Sequence, residues 1–282
     1  MSQTPTVSST TMFTLGRWDE VASVITVRGS IGAGKTTVMG HLERYLVEND
    51  LLATSETATA DDLFLPVPEP LNDWQEAKYR REPATVDEEE RDAMCQSDSS
   101  SSDGPLESMF QKMCRDKRRY GFSFQVMAFT TRMAAIADAM AKVPRRQRPV
   151  RIHVIPERFL PDDRLMFENL YEMGYIEPCE WDIYNGFYAL MTQQLVAKEK
   201  AMIYVPTSPE ICLQRVAKRD RAGETDGGVP LAYLRALERK HDQMETAFVG
   251  HVWRLDTMRQ ELTAGEIGQV CWDLMHEIVT SV

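Results

Sequence analysis

The sequence predicts an α/β fold: a five-stranded parallel sheet flanked by helices. Three observations carry that expectation. Val24-Ile25-Thr26-Val27 is an apolar, β-branched run that stops at Gly29, as a buried strand stops at a tight turn. The next eight residues, Gly29-Ser30-Ile31-Gly32-Ala33-Gly34-Lys35-Thr36, fit G-x-x-x-x-G-K-[ST]. They lead through Thr37 into a stretch, Val38 to Glu48, with apolar residues at helical spacing. Further on, short apolar runs alternate with longer amphipathic ones, the pattern of parallel strands joined by helices.

The first unit explains itself chemically. Glycines let successive backbone N–H groups turn inward around a phosphate, which larger side chains would obstruct. Lys35 supplies a point charge to the β- and γ-phosphates, and the Thr36 hydroxyl can ligate Mg²⁺. The helix that follows points its N-terminus at the anion. A chance glycine turn would not come with both the strand and the helix, so this is a nucleotide-binding loop.

Composition bounds the rest. The 282 residues are 43% hydrophobic, enough for one large α/β domain. With 32 Lys+Arg against 43 Asp+Glu, the net charge of −11 and pI near 5.1 disfavour nucleic acid or an anionic membrane as main partner. The five cysteines include no C-x-x-C pair, which suggests free thiols, not a zinc site or a disulfide frame. No apolar run approaches the ~18 residues of a membrane span. Met1 to Thr14 lacks the basic and apolar segments of a leader, so the expected location is the cytoplasm, with the nucleus reachable by diffusion.

Residues 1–18 read as a loose tail and 19–282 as a single domain. The strands expected in order are Val21–Val27, one within Leu51–Leu65, Val150–Ile155, Ala201–Val205 and Val252–Leu255. The expected helices are Thr37–Glu48, Phe122–Lys142, Asp163–Tyr171, Glu180–Lys198, Pro209–Arg219 with Ser208 as its cap, Leu231–Phe248 and Ala264–Val279. Residues 76–105 hold Asp87-Glu88-Glu89-Glu90 and a serine-rich run from Ser97 to Gly104. That composition cannot bury much apolar surface and reads as a flexible insertion. Its serines beside acids could take phosphate, although a solvated loop is the favoured reading.

Glu69 and three further clusters fall where such a fold would use them. Glu69 is held between Pro68 and Pro70, whose rings discourage helix and place it at a strand end in a rigid, extended segment; an ordinary surface loop fits equally. Glu157-Arg158 follows the third strand, where an acid can support a metal and an arginine can reach a phosphoryl group. A buried structural ion pair fits equally. Arg215, Arg219 and Arg221 precede a glycine-rich run, as in a closing lid, with a solvated helix end as the alternative. Gln125 and Arg132, two helical turns apart, share a face with Phe129 and Met133, either to hold a base or simply as polar residues on a core helix.

These pieces in this order resemble the deoxynucleoside kinase family, nearest its deoxycytidine and deoxyguanosine branch. The resemblance rests on Gly29 to Thr36, Glu69-Pro70 with Trp74, Phe124-Gln125, Glu157-Arg158 with Asp163-Arg164, Trp181, and Pro209-Glu210-Ile211-Cys212 leading to Arg219, Arg221 and Glu224. It implies a P-loop NTPase fold with a helical, arginine-rich lid, and transfer of a phosphoryl group from ATP or another NTP, with Mg²⁺, to a deoxynucleoside 5′-hydroxyl. Glu69 would be the general base. Gln125 would bind the nucleobase in a cleft walled by Trp74, Phe129 and Phe167. Arg158 would place the 5′-oxygen, and Glu157 would assist Thr36 at the metal. Arg215, Arg219 and Arg221 would meet the donor phosphates with Lys35, and Glu224 would hold the 3′-hydroxyl.

The pair Arg132 and Asp163 matches the cytidine/purine branch and implies deoxycytidine and purine deoxynucleosides over thymidine. A homodimer is likewise implied. Where the family carries a tyrosine for the 3′-hydroxyl, eleven residues before Gln125, this sequence has Cys114, with Tyr120 or Phe110 as alternates. Phe159 and Gly223 depart from the pattern as well. The rivals are a thymidine-preferring or broad deoxynucleoside kinase, a nucleoside monophosphate kinase and a catalytically silent nucleotide-binding subunit.

Overall fold

The computed structural model describes residues 17–76, 78–80, 106–219, 221, 224 and 229–256, with residues 268–270, 272, 273, 276, 277 and 280 near the C-terminus. The serine-rich run of the insertion, the glycine-rich run after Glu224 and much of the expected last helix lie outside the described residues.

Strand β1 (Val21–Arg28) is the sheet's centre. It pairs in parallel with β5 (Arg151–Pro156) on one side and β6 (Glu199–Tyr204) on the other. The edges are β2 (Asp62–Val67) beside β5 and β7 (His251–Arg254) beside β6, giving the order β2-β5-β1-β6-β7. All five expected strands are present, with no end displaced by more than two residues. Pro66 fits in β2 because an edge strand leaves one row of N–H groups unpaired.

Period-two alternation sends the strand side chains to two cores. Ile25, Val27, Phe64, Ile155 and Ile203 face one layer, where Leu42 and Leu46 of α1 (Lys35–Glu48) are wholly buried, each worth about 2 kcal/mol. Leu63, Leu65, Ile152 and Val154 face the other, covered by Phe129, Met133, Ile136 and Met140 of a long helix. Trp18, which the sequence places in the tail, belongs to this second core and stacks on Phe159 at 6.3 Å.

Short α2 (Leu71–Gln75) follows the Glu69 segment. Within the expected insertion, β3 (Tyr79–Arg80) pairs antiparallel with β4 (Leu106–Glu107), just outside its far limit. Helix α3 (Met109–Arg115) is closed at its start by Ser108 and Gln111, each accepting from the other's backbone N–H. The long helix, α4 (Lys117–Ala141), starts five residues before the expected Phe122 because Asp116 accepts the Arg119 N–H. The remaining helices are α5 (Leu160–Glu172), α6 (Pro178–Val196), α7 (Pro209–Arg219) and α8 (Leu231–Ala247).

Strand order reverses at β1, so the loops after β1, β2, β5 and β6 open onto one crevice at their carboxyl ends.

Candidate active site

The loop after β1 has the backbone its glycines allow. Gly32 and Gly34 sit at φ +82° and +101°, in the left-handed region. A Cβ on Gly32 would stand 2.6 Å from the Cys212 carbonyl oxygen, so a side chain there would push α7 away. Arg215 of α7 lines the cavity and donates to the Ala33 carbonyl at 2.9 Å, which braces the loop. At the head of α1, the buried Lys35 donates to the Ser30 carbonyl at 3.0 Å. Burial lowers its pKa and Arg158 lowers it further, while Glu157, Glu69 and Asp162 oppose; the balance is about 8. Thr36 Oγ1 lies 3.0 Å from both Glu157 carboxylate oxygens.

Glu69 emerges two residues after β2 and stands over this loop. Its Oε1 accepts from Arg158 Nη1 at 2.7 Å and from Arg132 Nη2 at 3.2 Å, with 7% of the side chain exposed. Burial alone would raise the Glu69 pKa. Arg158, Arg132 and Lys35 together outweigh it and hold the carboxyl at about 2. Arg132 also donates Nε to Asp163 at 3.0 Å and Nη1 to the Glu157 carbonyl at 2.8 Å, and its guanidinium lies 5.4 Å from the Trp74 ring centre. Arg158 is one of two described non-glycine residues at positive φ, +61°. The geometry aims its Nη1 at Glu69 and its Nη2 at the Gly29 carbonyl, 3.4 Å away.

A cavity of about 300 Å³ runs from the loop past Glu69 into an apolar end. Trp74, Phe124 and Gln125 line it there together with Phe110, Met113 and Met166. Trp74 and Phe124 meet edge-to-face at 5.8 Å, and the Trp74 indole N–H donates to Thr131 at 2.8 Å, which fixes the wall. Over the other side, Arg219 grips Glu224 with two hydrogen bonds of 2.7 and 2.5 Å, and Arg221 lies 3.6 Å from the same carboxylate. All three line the cavity.

Two expected wall residues lie elsewhere. Phe129, one turn beyond Gln125, is covered by α6, with Phe187 at 4.9 Å. Phe167 is stacked on Tyr184 at 4.0 Å and Trp181 at 5.9 Å. Neither has any exposed surface or reaches the cavity; Met166 lines it instead of Phe167. Arg132 and Asp163 are paired as expected but stand behind the lining, beneath Trp74 and Glu69. Cys114 does line the cavity, and burial pushes its thiol up to about 12. Of the two alternates, Phe110 reaches the cavity, whereas Tyr120 lies under the Lys112 ammonium at 5.2 Å. Lys117 and Tyr233 are lining residues that sequence reasoning missed. The Phe110/Met113 spacing on α3 was a readable sign of an apolar face; nothing local marked the other two.

Fold and site together define a P-loop α/β protein with a cavity beside the loop. A family profile described as deoxynucleoside kinase matches residues 25–251, and the chain belongs to that family. It is 31% identical over 225 residues to deoxycytidine kinase 1 of Xenopus laevis, covering 77% of this chain and 72% of that one. It is 29% identical over 222 residues to human deoxycytidine kinase, covering 77% and 73%. A probable deoxycytidine kinase of fowlpox virus is 34% identical over 136 residues, which span 48% of this chain and about half, 54%, of the viral protein.

Proposed function

We propose that this deoxynucleoside kinase transfers the γ-phosphoryl group of ATP, or another NTP, to a deoxynucleoside 5′-hydroxyl. The observation that carries the reading is Glu69, ionised and held 2.7 Å from Arg158 at the junction of the phosphate loop and the apolar cavity. A hydroxyl entering from the cavity meets that carboxylate on one side and the donor site on the other. An acceptor already phosphorylated at its 5′ end would be repelled, which disfavours a monophosphate kinase.

The residues present fit the donor. The loop glycines leave a cradle that a Cβ at Gly32 would force open. Lys35 is buried at its floor, and Arg219 and Arg221 stand over it. Thr36 and Glu157 offer hard oxygen atoms for Mg²⁺, whose chemistry when bound is to disperse charge on the phosphates. Glu69 accepts a hydrogen bond from the 5′-hydroxyl, orients it and takes its proton. Its low pKa makes it a weak base, which suffices where phosphoryl transfer depends on positioning and charge neutralisation. Arg158 keeps the carboxylate in place, Gln125 hydrogen-bonds the base edge between Trp74 and Phe124, and Glu224 holds the sugar.

Arg132 and Asp163 act on specificity from behind the wall, by fixing Trp74 and Glu69, and favour deoxycytidine and purine deoxynucleosides over thymidine. Residues 19–282 form one domain in this reading, and the protein is a homodimer of the cytoplasm with the nucleus within reach by diffusion. Ile183 and Leu190 of α6, 60% and 82% exposed and two turns apart, would be covered by a second copy. No helix among the described residues is long and apolar enough to cross a membrane. The test is ATP-dependent phosphorylation of deoxycytidine, deoxyadenosine, deoxyguanosine and thymidine. A lead for deoxycytidine or a purine supports the reading; a lead for thymidine removes the specificity argument; no turnover of any removes the kinase reading.

A further inference from the structure

Below the catalytic loops lies a charge cluster that lines no part of the cavity. Arg28, Asp162 and Glu199 are 1%, 0% and 8% exposed. Arg28 donates Nε to Asp162 Oδ2 at 2.9 Å and Nη2 to Glu199 Oε1 at 2.7 Å, and Glu199 also accepts from Thr26 Oγ1. The same Oδ2 of Asp162 accepts the Phe159 N–H at 2.9 Å.

We infer that Asp162 is a positioning residue for Arg158 and, through it, for Glu69: one carboxylate oxygen ties the backbone just after Arg158 to Arg28, the residue just before the phosphate loop. The inference rests on the roles proposed above for Glu69 and Arg158.

The need for such a tie follows from the backbone. A non-glycine residue at φ +61° is strained by about 1–3 kcal/mol and stays there only when its surroundings hold it. On its N-terminal side Arg158 is held by its own N–H, which donates to the Val27 carbonyl at 3.0 Å. On its C-terminal side the hold is the Phe159 N–H on Asp162, with the Phe159 ring buried against Trp18. Both anchors lead back to the end of β1, so the arginine that grips Glu69 and the loop that cradles phosphate share one frame.

A helix cap would explain part of this, since Asp162 stands in the first turn of α5. A cap does not require Arg28. Burying three charges yields little net stability over apolar residues of the same volume, and Asp162 Oδ1 has no hydrogen-bond partner among the described residues, so what the two bonds to Oδ2 supply in this low-dielectric interior is fixed geometry. The other charged groups that act on Asp162 or feel it are His241, Lys35, Arg132 and Asp163; those that act on Glu69 or feel it are Arg158, Arg132, Lys35, Asp163 and Arg221.

The two explanations part in sign. Removing a negative charge near the site would by itself lower the Glu69 pKa. Releasing Arg158 would raise it. The experiment is a ¹³C NMR titration of the Glu69 carboxyl in glutamate-labelled protein, assigned with Glu69→Gln, between about pH 4 and pH 8 around the ordinary carboxylate range. In the native protein the resonance should be flat. In Asp162→Asn it should titrate within the window, its midpoint raised by about 2–3 units, into the ordinary carboxylate range. A resonance in Asp162→Asn as flat as in the native protein overturns the inference, even if the melting temperature has dropped. Should the single variant not fold, the charge-neutral double variant R28M/D162N gives the same test with the same expected rise. The titration needs no turnover, so it is read independently: a native protein that phosphorylates no nucleoside defeats the kinase reading and leaves the measurement of Asp162's hold to stand or fall alone.

Discussion

Glu69 and Arg158 are joined at 2.7 Å although 89 residues separate them in the chain. The contact places the carboxylate at the end of β2 against the guanidinium after β5, and the site is built around that closure. Because the arginines and Lys35 keep Glu69 ionised far below neutrality, kcat/KM should show no carboxylate limb from Glu69 between about pH 5 and pH 8. Arg158→Met should introduce one, because burial then raises the Glu69 pKa with less opposition. A pH–rate profile of the variant parallel to the native profile would contradict this.

Lys35 is buried and loses its proton near pH 8 in the substrate-free protein. Its protonated form is the one that attracts a triphosphate. Donor affinity should therefore weaken as pH rises through about 8, with acceptor affinity changed less. Calorimetric Kd values for ATP at pH 7 and pH 9 check the expectation; equal values would refute it.

Cys114 leaves the cavity without the phenol that the family resemblance leads one to expect. Cys114→Tyr should sharpen discrimination at the sugar, raising the ratio of kcat/KM for deoxycytidine over 2′,3′-dideoxycytidine by about 10-fold, the worth of one hydrogen bond of roughly 1.4 kcal/mol. An unchanged ratio, with the variant folded, would show that selection lies elsewhere.

His241 is fully buried with no hydrogen-bond partner on either ring nitrogen among the described residues. Burial, aided by Arg158, Lys35 and Arg28, depresses it to about 3 against the pull of Asp162. Since the unfolded chain binds this proton near pH 6.5 and the folded one does not, the stabilisation is complete above about 6.5 and lost progressively toward pH 3. His153, also lowered by burial, acts in the same sense. Urea midpoints measured from pH 7 to pH 4 should fall, and His241→Phe should flatten that slope. A slope as steep in the variant would assign it to other groups.

What the sequence discloses is what is local. The run ending at Gly29, the loop spacing and the two prolines around Glu69 act through neighbours in the chain, and the sheet, the phosphate loop and the Glu69 segment all stand where they point. Phe129 and Phe167 mislead because an apolar residue at helical spacing reads the same whether a ligand or another helix covers it, and here α6 covers both. The early start of α4 depends on one capping carboxylate, Asp116. The Arg28 cluster is invisible in the chain because its pairs span 134 and 171 residues. Lys117 and Tyr233 reach the cavity from helices whose register only the packed fold sets.

The central claim is that Glu69 takes the acceptor's proton while the loop and arginines hold the donor. Its most direct test is Glu69→Gln, which keeps the shape and removes the charge. With native affinity for ATP and within about threefold of native affinity for deoxycytidine, single-turnover transfer should fall by about 100-fold or more, the usual contribution of a general base. A variant that transfers phosphate within a few-fold of the native rate would contradict the account.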